Sequence, residues 1–242
     1  MKQAFIFLFI CMQLLSCHKS AENKYASPKD TTIVFFNIKV HDRNALSKFI
    51  MEINDLNPKV IGLDFFLDSL KDSSVDSMLA SNIRDSKKVI LAARINYETN
   101  LIEGSHPFFT QNTKGEGLIS YLIDENNKIT DYIPLYQDSK RQMISFPNDL
   151  AFAFKVTPNN RITNFTINKP QRIEITKGIE YFEILDKNSI SSDNVKDKIV
   201  IFSALDYNED FKGEFTVELN GNEVKLPSAI ITANIIHEIL ND

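Results

Sequence analysis

Apolar residues follow an alternating order of strand-like and helix-like patterns along the first part of the chain. Residues 32–40, 59–66 and 88–95 are short runs rich in β-branched and aromatic side chains, which predicts three buried strands. Between the first two runs, apolar residues recur at spacings of three and four, the pattern of one buried helix face. These residues are Leu46, Phe49, Ile50, Ile53 and Leu56.

A second, shorter amphipathic helix is predicted at residues 72–85. Its inward residues are predicted to be Val75, Met78, Leu79 and Ile83. The order is therefore strand, helix, strand, helix, strand. No hairpin turn separates these strands, so their connections predict right-handed crossovers and a parallel sheet.

The pattern changes after Tyr97. Residues 96–115 form a polar connection, and two further runs with a polar turn between them predict an antiparallel hairpin. The remaining predicted elements are strands at 117–123 and 128–136, a helix at 146–156, short extended pieces at 162–167 and 172–175, a buried strand at 198–205 and a hairpin at 214–226.

The last predicted helix begins at Pro227 and has apolar residues on two sides, which leaves burial all round or an interface open. The predicted fold class is α/β. It has a helix-flanked, mostly parallel or mixed central sheet with an antiparallel hairpin insertion.

The start of the chain has the pattern of an export signal. Lys2 precedes an almost wholly apolar run at residues 4–15, which is shorter than the roughly 20 residues that span a bilayer. The ending Leu14-Leu15-Ser16-Cys17 resembles the bacterial lipobox, in which the cysteine is acylated and the chain is cut before it. An ordinary secretory signal is the alternative.

Three parts of the chain are therefore expected. Residues 1–16 form a lipoprotein signal peptide, and residues 17–31 form a lipidated, flexible tether. Residues 32–242 form one domain. Several acyl chains on Cys17 would anchor the protein stably in a membrane, whereas one chain alone is marginal.

Composition narrows the possible partners and compartments. The net charge of −5 becomes −6 once Lys2 leaves with the signal, which opposes binding to nucleic acid. The two cysteines are Cys11, in the signal, and Cys17. The domain is thus expected to have no disulfide and no thiolate chemistry, although an exported protein would permit disulfides.

Three aspartates are candidate contacts for a ligand or partner. Asp64 follows a predicted parallel strand, and ligands of open α/β sheets bind at that end. The alternative is that Asp64 caps the loop or the next helix. Asp206 and Asp210 follow another buried strand and would form either a hard-cation site or an exposed acidic loop.

The sequence shows no pattern typical of a metal site, an enzyme nucleophile or a phosphate-binding loop. The histidines His18, His41, His106 and His237 lack the short spacing of metal ligands, so structural or surface roles are expected. Signatures of a serine or cysteine nucleophile and of a phosphate-binding glycine loop are missing. We therefore predict no catalytic residue, no metal and no cofactor.

Three aromatic pairs are candidate pocket linings. Phe35-Phe36 and Phe65-Phe66 lie in predicted buried strands, which favours the core. Phe108-Phe109 lies in a predicted loop, where it would contact a partner or a membrane.

Several segments, in their order along the chain, resemble the type-2 CHASE domain, a sensory extracellular domain associated with cyclases and histidine kinases. The resemblance covers about residues 31–242. The matching segments are residues 57–66, 76–80 and 89–92, then Gly117, Asp124 and Pro134-Leu135, then residues 146–153, 197–203 and 233–234.

The chain departs from the family pattern at a few positions. Ser203 and Ser228 stand where the family has glycine, and Thr232 stands where it has histidine. Thr130 lies near the usual arginine, and the Thr-Pro pair of the family is missing.

The resemblance implies a sensory or partner-facing module outside the cytoplasm. In the family this domain is usually followed by transmembrane helices and a kinase or cyclase, whereas this chain is expected to be a free-standing version held by lipid at Cys17. Its partner would be a transmembrane kinase, a cyclase or another envelope protein, and its location would be the cell envelope, facing the periplasm.

Two alternatives stay open. One is an envelope hydrolase that uses Asp64 with Asp206 or Asp210, since paired carboxylates cleave glycosides. The other is a structural lipoprotein of an envelope assembly.

Overall fold

The computed structural model describes residues 30–38, 42–111, 113–155, 165–205 and 214–241. The predictions on Cys17, on tether residues 17–29 and on residues 162–164 lie outside these ranges. Residues 30 and 31, the end of the expected tether, are the first two residues of a strand. The strands, in chain order, are β1 (Asp30–Asn37), β2 (Val60–Leu63), β3 (Val89–Asn96), β4 (Leu101–Glu103), β5 (Gly115–Ile119), β6 (Tyr121–Ile123), β7 (Ile129–Tyr132), β8 (Leu135–Gln137), β9 (Gln142–Ile144), β10 (Gln171–Arg172), β11 (Phe182–Leu185), β12 (Ile199–Ser203), β13 (Glu214–Leu219) and β14 (Asn222–Pro227). The described helices are α1 (Arg43–Asp55), α2 (Ser73–Ser86), α3 (Pro107–Thr110), α4 (Phe146–Lys155), α5 (Ser192–Val195) and α6 (Ser228–Asn241), with a 3-10 turn at Ile179–Tyr181.

A seven-stranded, mostly parallel sheet forms the centre of the domain. Its order is β11-β1-β12-β2-β3-β4, and β5 also pairs with β3. The β3–β4 pair is antiparallel, and the other pairs of this sheet are parallel. The predicted α/β class with a mixed central sheet is confirmed. β12 lies between β1 and β2, an order that the local pattern did not predict.

Helices cover both faces of the central sheet, and each strand sends alternate side chains to each face. Val34 and Phe36 of β1 pack with α1, α2 and α5 on one face. Ile33 and Phe35 of the same strand pack with α4 and α6 on the other face. Two hydrophobic layers therefore enclose the sheet.

The ends of the first two helices follow from local hydrogen bonding. The Asp42 side chain accepts a hydrogen bond from the Ala45 N–H at 2.9 Å and caps α1. Asp72 caps α2 by accepting from Ser74 and Val75. Because an N-cap side chain satisfies otherwise unpaired N–H groups, both aspartates fix where these helices begin.

A buried ion pair joins these two helices. The Arg43 guanidinium of α1 meets the Asp76 carboxylate of α2 at 2.5 Å, and a second guanidinium nitrogen donates to the Ser69 carbonyl. The prediction that Met78 points inward is wrong, because this side chain of α2 is 37% exposed. The buried stripe of α2 runs through Asp76 and Leu79 instead.

Two parts of the middle region differ from the sequence interpretation. The polar connection at residues 96–115 contains β4 and the short helix α3. The predicted strand at residues 117–123 is two strands in different sheets. β5 pairs with β3 of the central sheet, whereas β6 pairs with β7 in a separate sheet. The β6–β7 pair is antiparallel, as predicted, with β10 beside it.

The C-terminal part follows the predicted hairpin and helix. β13 and β14 form the antiparallel hairpin, whose turn contains Gly221 at φ +80°. Ile231 and Ile235 of α6 are buried although they lie off the main apolar face. This burial decides the question left open for α6 in favour of packing on more than one side. None of the described helices combines the length and the hydropathy that crossing a membrane requires.

Candidate functional site

Asp64 lies at the carboxyl end of β2, in the middle of the central sheet. Its N–H donates to the Phe202 carbonyl of β12 at 2.9 Å, which continues the strand pairing by one residue. The predicted strand at residues 59–66 therefore ends at Leu63. The carboxyl ends of β2 and β12 meet at this edge, which is where open α/β sheets place their sites.

Five polar side chains form what we call the Asp64 cluster: Asp64, Tyr121, Ser203, Ser228 and Thr232. The Ser203 hydroxyl donates to Asp64 Oδ2 at 2.9 Å, and the Ser228 side chain also hydrogen-bonds the carboxyl. The Tyr121 hydroxyl donates to the Ser228 carbonyl at 3.1 Å and lies 2.5 Å from Thr232 Oγ1. The cluster connects β2, β12 and β6 to the first turn of α6.

The environment of the cluster opposes negative charge. Burial raises the pKa of Asp64 to about 7, against the lowering effect of the hydrogen bonds from Ser203 and Ser228. Burial, with the nearby Asp64 carboxyl as a second cause, also raises the pKa of the Tyr121 hydroxyl. The Asp64 residue nevertheless keeps partial contact with solvent. A pKa of about 7 divides the carboxyl between its neutral and its ionised form near neutral pH.

The arrangement explains what Asp64 does locally. Asp72, and not Asp64, caps the helix that follows β2, so the helix-capping part of the alternative for Asp64 is wrong. Its partners include Ser228, the first residue of α6. Asp206 and Asp210 lie outside the described residues, so their proximity to Asp64 stays a prediction. Within the described ranges, no group of three or more histidine, cysteine or acidic residues could hold a metal ion.

A family model described as the CHASE2 domain matches residues 35–242. The chain belongs to the CHASE2 domain family. The family consists of sensory extracellular domains, in agreement with the resemblance found in the sequence. No curated protein and no solved structure matched the chain.

Within this CHASE2 domain, a retained family residue has a structural role. Asn234 of α6 is buried, and its side-chain oxygen accepts hydrogen bonds from the Thr176 and Lys177 N–H groups at 3.1 and 2.9 Å. Its amide nitrogen donates to the Lys177 and Ile230 carbonyls, both at 2.9 Å. Asn234 therefore fixes the segment before the 3-10 turn to the middle of α6.

The far end of α6 is fixed to the start of β1. His237 Nδ1 lies 2.9 Å from Asp30 Oδ2, and the Asp30 side chain is 5% exposed. The ring of Tyr181 packs edge-on against His237. The Lys155 ammonium donates to the Ile239 carbonyl near the helix end. The structural role expected for His237 agrees with these contacts.

Two surface clefts of the described residues lie away from the Asp64 cluster. One, of about 390 Å³, lies between residues 172–176 and the β13–β14 turn. The other, of about 210 Å³, lies beside Asp30, Tyr181 and His237. Both are lined mainly by polar surface, so neither resembles the apolar, enclosed pockets that hold most small ligands.

The aromatic pairs divide between core and surface. Phe35 and Phe36 are buried, as predicted, and Phe65 is 7% exposed. Phe109 is buried in α3 beneath the Arg43 guanidinium, whereas Phe108 is 38% exposed. His106 caps α3 through Nδ1, which accepts from the Phe108 N–H. A partner contact at this pair would therefore involve Phe108 alone.

Sequence reasoning identified Asp64 but missed most of its partners. Tyr121 lies 57 positions further along the chain, in a strand of another sheet, and no local pattern links it to β2. Ser203, Ser228 and Thr232 are departures from the family pattern. These three departures are the sequence signal that could have identified the cluster, because the structure places all three residues around Asp64 and Tyr121.

Proposed function

We propose that this CHASE2 protein is a lipid-anchored sensory or partner-binding module of the cell envelope, with no reaction of its own. The observation that carries the proposal is the pairing of a sensory extracellular family with a lipobox-like sequence ending at Cys17. The lipid would hold the domain at the membrane, facing the periplasm. The sensory domain would then act on a transmembrane kinase, a cyclase or another envelope protein.

The polar contacts of the domain support a recognition role over catalysis. The Asp64 carboxyl is hydrogen-bonded by hydroxyl groups of the protein itself, and these contacts connect secondary-structure elements. Asn234 and the Asp30–His237 pair likewise join α6 to other parts of the fold. A carboxyl used in this way positions elements relative to each other, which suits a module that transmits a change of state.

Lipid attachment can be tested with two cysteine variants. The wild-type chain is expressed in a bacterium that is fed radioactive palmitate, beside Cys17→Ser and the matched control Cys11→Ser. We expect label and membrane association in the wild type and in Cys11→Ser, and loss of both in Cys17→Ser. Equal labelling of Cys17→Ser, or an unlabelled wild type, would refute the anchor.

The partner is tested by crosslinking in membranes, followed by purification of the wild-type chain. The Cys17→Ser chain, which is not tethered, is the control for non-specific capture. We expect specific recovery of a transmembrane kinase, a cyclase or an envelope complex. Recovery of none of these under conditions where known lipoprotein partners are captured would count against the sensory role.

A further inference from the structure

The first turn of α6 is held to the central sheet through the Asp64 cluster. Ser228 begins the helix, and its side chain contacts the Asp64 carboxyl while its carbonyl accepts from Tyr121. Thr232, one turn later, lies against the same tyrosine hydroxyl. The polar contacts of this turn therefore come from a carboxyl and four hydroxyl groups, and they add to the apolar packing of Ala229, Ile230 and Ile231.

Later turns of α6 have their own, separate anchors. Asn234 binds the segment at residues 176–177, and His237 contacts Asp30. A change confined to the Asp64 cluster would consequently weaken the polar contacts of the first turn, while the contacts of Asn234 and His237 stay in place. This separation permits a local rearrangement without unfolding of the domain.

We propose that the Asp64 cluster is a proton-responsive contact between the central sheet and the first turn of α6. With a neutral Asp64 the contact is closed, because a protonated carboxyl both donates and accepts hydrogen bonds and matches neighbouring hydroxyls. With an ionised Asp64 the contact opens more often, because a buried carboxylate is stabilised when water reaches it.

The surrounding groups leave the carboxyl without a compensating charge. β12 contributes Ser203, α6 contributes Ser228 and Thr232, and β6 contributes the neutral Tyr121 hydroxyl. Among the described residues, no cationic side chain forms an ion pair with Asp64. Arg94 stacks on Phe66, two positions after Asp64, and forms its ion pair with Glu103.

The sign of the effect follows from proton linkage. Burial raises the pKa of Asp64 to about 7, so the closed state keeps a proton that an open, hydrated carboxyl releases. Stability of the closed contact is therefore complete below the ordinary aspartate pKa and falls as pH rises through the folded value. At about pH 6 the open carboxyl is already ionised, whereas the closed carboxyl still holds its proton. Between about pH 6 and 8, the statistical weight of the open state, relative to its protonated form, rises ~100-fold and that of the closed state ~10-fold, so the ratio of open to closed molecules should increase about tenfold.

As a property of the domain, this inference stands on the Asp64 cluster alone. As a biological signal it rests on the proposed sensory function, and it names protons as a stimulus. The proton-responsive contact and the sensory function can be refuted independently, because carboxyl titration and hydrogen exchange need neither a lipid nor a partner.

Carboxyl titration and hydrogen exchange test the proposal on the full chain carrying Cys17→Ser. Carbon-13 NMR of aspartate carboxyls, compared between this chain and its Asp64→Asn variant, assigns the Asp64 signal. We expect a titration midpoint near 7. A midpoint near 4, the ordinary aspartate value, would overturn the proposal.

Hydrogen exchange then reports the opening itself. After correction for the intrinsic rate, peptides from the first two turns of α6 should exchange about tenfold faster at about pH 8 than at about pH 6. The Asp64→Asn variant should lose this dependence, whereas Asp68→Asn, an exposed residue of the same segment, should keep it. Equal pH dependence in Asp64→Asn would overturn the proposal. If that variant does not fold, the carboxyl signal that titrates near 7 is assigned by its proximity to Tyr121. The absence of any such signal would overturn the proposal.

Discussion

Replacing Arg43 with methionine removes the charge that neutralises a buried carboxylate. In the native domain the Arg43 and Asp76 side chains are 6% and 2% exposed and meet at 2.5 Å. Asp76 Oδ2 also accepts from the Lys71 and Asp72 N–H groups, at 2.6 and 3.1 Å. Methionine fills a similar volume, so the substitution mainly tests charge and hydrogen bonding.

The expected loss for Arg43→Met is about 3–5 kcal/mol in the free energy of unfolding, the usual cost of removing one partner of a buried ion pair. Domains of this kind are stable by about 5–15 kcal/mol, so the variant should retain only part of its stability. Adding Asp76→Asn should recover some of the loss. The asparagine oxygen still accepts from the two N–H groups, and no buried charge remains.

The assay is urea unfolding of the full chain carrying Cys17→Ser, followed by circular dichroism near pH 7. The matched control is Arg84→Met, because Arg84 pairs with Asp85 on the surface, where both side chains are more than half exposed. That variant should change stability by less than about 1 kcal/mol. A loss of similar size in Arg43→Met and Arg84→Met would refute the reasoning, and so would failure of Asp76→Asn to restore stability.

The Arg43–Asp76 pair also makes the free energy of unfolding depend on pH. Burial opposes ionisation of Asp76, but hydrogen bonds from Lys71 and Arg43 outweigh it and lower the pKa of Asp76. A carboxyl with a lowered folded pKa stabilises the domain above the unfolded value and loses this contribution as pH falls through the folded one. The stability difference between wild type and Arg43→Met should therefore shrink in acid.

Two further substitutions test other close contacts. Gly117→Ala would place a Cβ 2.4 Å from the Phe146 Cα, a backbone atom at the start of α4, so we expect a loss of about 1–3 kcal/mol in the same urea assay. Unchanged stability would mean that α4 moves freely away from β5. Asn234→Ala leaves two N–H groups of the adjoining segment without their acceptor, at about 1–3 kcal/mol each, whereas Asn241→Ala at the exposed end of the same helix should cost little. Equal effects of the two asparagine substitutions would contradict the buried role of Asn234.

The first half of the fold could be predicted because its strands and helices carry strong, short-range patterns. Asp42 and Asp72 each precede an amphipathic run, and both cap the expected helix. Met78 shows the limit of such patterns, because its spacing fits the buried face while the packing of α2 against α1 leaves it exposed.

The order of the central sheet could not be predicted in the same way. The position of β12 between β1 and β2 depends on pairing between distant parts of the chain, which leaves no local pattern. The candidate site could likewise be predicted only in part. Asp64 follows from the rule about strand ends, whereas Tyr121 and Ser228 reach it only through tertiary packing.

The central position of β12 has a consequence for the order of folding. Ser203, at the end of this strand, contacts Asp64 across 139 positions of sequence. β1 and β2 both pair with β12 and not with each other, so the centre of the sheet cannot form until β12 is present. Sheets that depend on such distant pairing fold slowly. We therefore expect this domain to refold more slowly than a domain of similar size whose sheet pairs strands that are neighbours in the sequence.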